Sequence, residues 1–153
     1  MTNGFTGNRL RFLALLVVGA ALAVALIWPS GAAAAQQRVI GTAVSNGFRV
    51  QVTAIRVPQP GSEPDAATVK IAAFEQSGSS WARLGRTLTV GQRAGWFWNV
   101  VTRPYGIRSL TLARPGGRYP SRIALKLLIS PSIGPSATFR FIVDQGRLVQ
   151  VDV

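Results

Sequence analysis

Past residue 35 this chain is interrupted by turn-forming residues so often that no long helix fits. Runs rich in Val, Ile, Leu, Phe and Thr are separated by Gly, Pro, Ser and Asn. They recur about every 8–12 residues, the spacing of short strands joined by turns. The expected fold is all-β, with strands over 38–44, 48–57, 68–76, 81–90, 96–102, 107–113, 122–130, 137–143 and 147–153. Within 48–57, Phe48, Val50, Val52 and Ala54 alternate with Arg49, Gln51 and Thr53, which gives one buried and one wet face. Asn46-Gly47 suits the two positive-φ positions of a type I′ turn and predicts a hairpin. Ser77-Gly78-Ser79-Ser80 and Asp144-Gln145-Gly146 predict two more, and three prolines and Gly61 make 58–67 the longest loop. The run Arg122 to Ser130 has some helical propensity, but the flanking Pro and Gly hold it to strand length. The pattern predicts an antiparallel β-sandwich of about 7–9 strands, packed in the immunoglobulin or fibronectin manner, with no helix in the domain. The disulfide-and-tryptophan pattern of antibody domains is absent, so architecture rather than family is implied.

The first thirty-five residues have a different character. Arg9 and Arg11 precede an uninterrupted apolar run from Phe12 to Trp28, followed by Pro29, Ser30, Gly31 and the tract Ala32 to Ala35. This is the order of a signal peptide, an N-terminal helix removed on export, with Ala33 and Ala35 as the small residues at the cleavage site. The mature chain would begin at Gln36, leaving residues 36–153 as one β-sandwich domain. The rival reading keeps 12–28 as an uncleaved membrane anchor, and in both cases the domain ends up secreted or extracytoplasmic. Without cysteine, lipid anchoring through a thiol is excluded and the core must hold without disulfides.

Composition then limits the chemistry. The chain has no histidine and no cysteine, which removes the commonest general base, the thiol nucleophile and most transition-metal ligands. No phosphate-binding glycine motif or nucleophile elbow is present. Lys126 and Ser130 share a face of one predicted strand, but a lysine there is expected on the wet side. Glu63, Asp65 and Asp144 fall together only among arginines, a poor setting for a hard cation. No enzymatic activity, cofactor or metal is expected.

Charge gives the main lead. Leaving out Arg9 and Arg11, fifteen basic residues face five acids, and only Lys70 and Lys126 are not arginine. The arginine preference fits codon bias, whereas the excess of positive charge predicts attraction to anionic surfaces. If strands alternate in direction, loops 58–67, 91–95, 114–121 and 144–146 share one end. That end would gather Arg93, Arg114, Arg118, Tyr119 and Arg147 into an anion-binding rim. The expected partner is an anionic cell-envelope polymer or membrane surface. Nucleic acid would be held only non-specifically. A carbohydrate-binding module is the first alternative, using Trp96 and Trp98, which share a face if 96–102 is a strand. The second is a protein-interaction or inhibitor module, with the edge strand 147–153 free to pair with a partner.

Overall fold

The computed structural model describes residues 35–113 and 122–151. The alternation along 48–57 is realised as strand β2, whose inward side chains Phe48, Val50, Val52 and Ala54 are almost wholly buried. In chain order the first sheet contains β1 (Gln37–Ser45), β2 (Phe48–Val57), β3 (Ala66–Ser77), β4 (Ser80–Arg83), β5 (Leu88–Thr89) and β6 (Trp96–Phe97). One helical turn, α1 (Trp98–Val101), leads into the second sheet. That sheet comprises β7 (Ile107–Ala113), β8 (Arg122–Ser130), β9 (Gly134–Pro135), β10 (Phe139–Asp144) and β11 (Arg147–Val151).

Both sheets are antiparallel. The first runs β1-β2-β3, with β4, β5 and β6 following one another along the free side of β3. The second runs β11-β10-β8-β7, with β9 also on β8. The inner faces pack on each other: Ala67, Val69, Ile71 and Ala73 join the β2 residues on one side, and Ile123, Leu125, Leu127, Phe141 and Leu148 lie on the other. Fully burying a branched or aromatic side chain is worth about 1.5–3 kcal/mol. In a chain without cysteine, such packing does the work that crosslinks do in many small exported domains.

The turns form as their residues dictate. Asn46 (φ 45°) and Gly47 (φ 74°) both take positive φ, as do Gln145 (φ 46°) and Gly146 (φ 72°), the pattern of type I′ hairpins. Between β3 and β4 only Gly78 does so, at the first central position, as a type II′ turn requires.

Two expectations are corrected. The run 81–90 is not one strand but a broken edge. Leu84 N–H and Val90 N–H still donate to Ala73 O and Val69 O, while Gly85 (φ 68°) lets the chain bulge away between these contacts and Gly91 (φ 69°) turns it after the second. The run 96–102 keeps strand form only at Trp96 and Phe97. At Trp98 the N–H donates to Asp65 O at 2.9 Å and the chain closes one helical turn, with Thr102 N–H returning to Trp98 O. The domain therefore has a helical element where none is expected. Connectivity, which the sequence pattern leaves open, is a further finding. Immunoglobulin sandwiches interleave their sheets through Greek-key crossings. Here the chain completes the first sheet before entering the second, so each sheet is a meander.

Candidate anion-binding face

The wet side of β2 is the starting point. Register sets Arg49 opposite Phe74, Gln51 opposite Ala72 and Thr53 opposite Lys70, while Phe74 faces Arg83 and Lys70 faces Thr89 across the other side of β3. The outer face of the first sheet thus carries a band of cations and hydroxyl or amide groups. Ala72 is small, which leaves a hollow of roughly 350 Å³ lined by Gln51, Thr53, Lys70, Phe74, Arg83 and Thr87, among others. Arg83 Nη1 donates to Thr87 Oγ1 at 3.3 Å, so the guanidinium is steered over the hollow. To one side, Arg49 stacks between two rings, its guanidinium carbon 4.7 Å from the Phe74 centroid and 4.6 Å from that of Trp81. The charge is kept while the side chain is fixed.

Lys70 and Ile55 also line a neighbouring hollow, together with Arg56, Thr68, Thr89 and Arg93. Arg93 reaches this place because the 91–95 loop folds over the sheet, with Ala94 N–H donating to the buried Thr68 Oγ1 at 3.0 Å. No carboxylate lines either hollow. Asp65, which contacts Arg56 of the second hollow, is engaged: its carboxylate takes Arg56 Nε at 2.6 Å and Gln59 N–H at 3.3 Å, and forms an ion pair with Arg56 Nη2. The hydrogen bond from Arg56, helped by that of Gln59, holds the Asp65 pKa below the ordinary 3.8, against a smaller opposing effect of desolvation. Arg56 is thus already matched by an ion pair.

The expected site residues are distributed as follows. Arg93 joins Lys70 on the outer face. Arg147 lies round the sheet edge, in a cleft between β5 and β11 with Gly85, Arg86 and Thr89. Thr89 borders both places, but Arg93 and Arg147 do not line a common hollow. Arg114, Arg118 and Tyr119 lie outside the described residues, as do Ala33 and the expected signal helix. Ala35 and Gln36 are described and exposed. Trp96 is buried, its Nε1–H donating to Val90 O at 2.9 Å and its ring edge-on to Phe139 across the two sheets. Trp98 is half-buried against the core. Helical winding at Trp98 breaks the alternation, so the two rings form no shared exposed platform, and Phe97 is the exposed member of the trio. Ser130 Oγ lies 3.1 Å from Ser132 Oγ and accepts the Ile133 N–H.

Sequence reasoning missed Lys70 and Arg83 as site residues. Lys70 is the lone charge in the apolar run 66–74, and a polar residue in phase with Thr53 was the available signal. Among the described residues no three His, Cys, Asp or Glu stand together as metal ligands, and no helix is long and apolar enough to cross a membrane. Comparison with protein-family models, with curated proteins and with solved structures yields no match.

Proposed function

We propose that this chain is an exported envelope protein that acts by binding, holding anionic polymers or headgroups on the outer face of its first sheet. The observation that carries the reading is the set Lys70, Arg83 and Arg93, placed on one face among threonine and glutamine groups with no carboxylate lining the hollows. Guanidinium and ammonium groups match phosphate and carboxylate, and neighbouring hydroxyls add hydrogen bonds that a diffuse charge lacks. Arg147 with Arg86 would flank this surface across Thr89. The domain needs no cofactor for this role and performs no catalysis. Its likeness to immunoglobulin and fibronectin domains is one of architecture, two packed antiparallel sheets. Export rests on the residue order before Gln36, and cleavage after Ala35 would be read from the N-terminus of the exported protein.

The test is co-sedimentation of residues 36–153 with isolated cell envelopes at low and high salt. Binding is expected at low salt, and charge screening should weaken it steeply as salt rises. The double variant Lys70→Gln/Arg83→Gln should lose most of it. Retention unchanged by salt or by that variant would refute the reading.

A further inference from the structure

One end of the sandwich carries a second surface, built from other residues. The described chain enters at this end: Arg56 N–H donates to Gln36 O at 2.8 Å, and Arg56 Nη1 to Gln36 Oε1 at 2.9 Å. Asp65 grips the same arginine, and its carbonyl receives the N–H of Trp98, the first residue of α1. α1 runs straight into the 102–106 turn, which is tied to the second sheet by Leu128 N–H donating to Gly106 O at 2.8 Å. Two loop tips therefore stand side by side, 102–106 and the 131–133 turn between β8 and β9.

These tips hold Tyr105, 72% exposed, and Ile133, 68% exposed, the two most exposed large hydrophobic residues among those described. Beside them lies a hollow of roughly 400 Å³, lined by Val100, Tyr105, Leu128, Pro131 and Pro135, with Arg103 and Arg108 also on its wall. No acid lines it, and the chain has no Asp or Glu anywhere between Glu75 and Asp144. A lone exposed apolar side chain needs no explanation. Here an exposed aromatic with a polar tip and an exposed branched aliphatic sit on the two loop tips that border one hollow, whose wall carries two guanidinium groups. That combination suits a bilayer surface: Tyr favours the water–lipid boundary, Ile the hydrocarbon edge, and arginine the phosphates above.

The chain before the domain points the same way. Residues 29–34 separate the apolar run Phe12–Trp28 from Ala35. Fully extended, that connection spans at most about 25 Å. Were a bilayer to take up that apolar run during export, the connecting length alone would keep residue 35 within that reach of lipid.

We infer that this end docks on an anionic phospholipid bilayer, with Tyr105 and Ile133 entering the interface and Arg103 and Arg108 meeting headgroup phosphates. The surface is separate from the outer face of the first sheet and does not depend on it.

The experiment uses residues 36–153 with phosphatidylcholine vesicles, with and without phosphatidylglycerol. Binding is expected to the anionic vesicles and to be weak on the neutral ones. Tyr105→Ser/Ile133→Ser should bind the anionic vesicles roughly tenfold more weakly, the loss expected when apolar burial is removed. Tyr105→Trp should gain a fluorescence signal that brominated acyl chains quench, against the wild-type protein as baseline. Arg103→Gln/Arg108→Gln should reduce the preference for anionic over neutral vesicles. Tyr105→Ser/Ile133→Ser should keep its retention on dextran sulfate while Lys70→Gln/Arg83→Gln loses it, which separates this inference from the polymer-binding reading. Unchanged thermal midpoints would show that the variants are folded. Three results would overturn the inference: no binding to anionic vesicles, full binding by the Tyr105→Ser/Ile133→Ser variant, or no quenching of the fluorescence gained in Tyr105→Trp.

Discussion

Asp65 links three segments through one residue. Its carboxylate fixes Arg56 and the 58–65 loop, while its carbonyl starts α1. Because the folded-state pKa lies below the ordinary value, the ionised form favours the fold. The contribution is complete above the ordinary carboxylate range and is lost as pH falls through the lowered value. Asp65→Asn should therefore lower the thermal midpoint at neutral pH, and the gap to wild type should close in acid. A gap that stayed constant down through the carboxylate range would assign the effect to the shape of the loop instead. Gly106 makes a different residue-scale prediction. A Cβ there would sit 2.1 Å from Val101 O, against backbone that cannot yield, whereas at Gly41 it would meet the mobile Ile107 Cδ1. Gly106→Ala should cost about 1–3 kcal/mol in denaturant unfolding. Gly41→Ala should cost clearly less.

At the scale of elements, much of the fold was legible. Strands 48–57, 107–113 and 122–130 match their predicted bounds because alternation and turn residues agree there. The broken edge was not legible, since 81–90 looks continuous until Gly85 meets the other sheet. A Cβ on Gly85 would lie 3.2 Å from Arg147 Cα, while one on Gly78 would touch nothing, although both have positive φ. Gly85→Ala should thus destabilise more than Gly78→Ala, and the difference in unfolding free energy reports the meeting of β11 with this edge. Equal losses would mean the edges part easily. The strand expected over 98–102 failed for a similar reason. Val100, Val101 and Thr102 favour strands, but the Asp65 carbonyl and the tight Val101–Gly106 contact decide otherwise. Long-range register likewise hid the candidate face. Lys70 and Arg83 meet only because β2 and β4 flank β3, and neither segment records that pairing in its own residues. Arg93, by contrast, was picked out as a loop cation from the sequence alone.

For the whole molecule, positive charge acts in two opposite directions. From Gln36 onward, fifteen basic residues against five acids make the folded domain repel itself, and the same charges draw it to anionic surfaces. Moderate salt should then raise the thermal midpoint while releasing the protein from envelopes. Parallel melting and sedimentation series would check both, and a midpoint that fell with salt would show that attractive pairs outweigh repulsion. The order of the strands has a consequence of its own. On the proposed export, N-terminus first, the entire first sheet would leave the translocation pore before Ile107, and nearly all its ladder hydrogen bonds are local to it. Until β8 and β10 arrived, Val50, Val52, Val69 and Ile71 would form a bare apolar surface in open solvent. Folding after such export would be a race between closing the sandwich and sticking to something else, and the short 98–106 crossing would limit how far the second half must travel to win it.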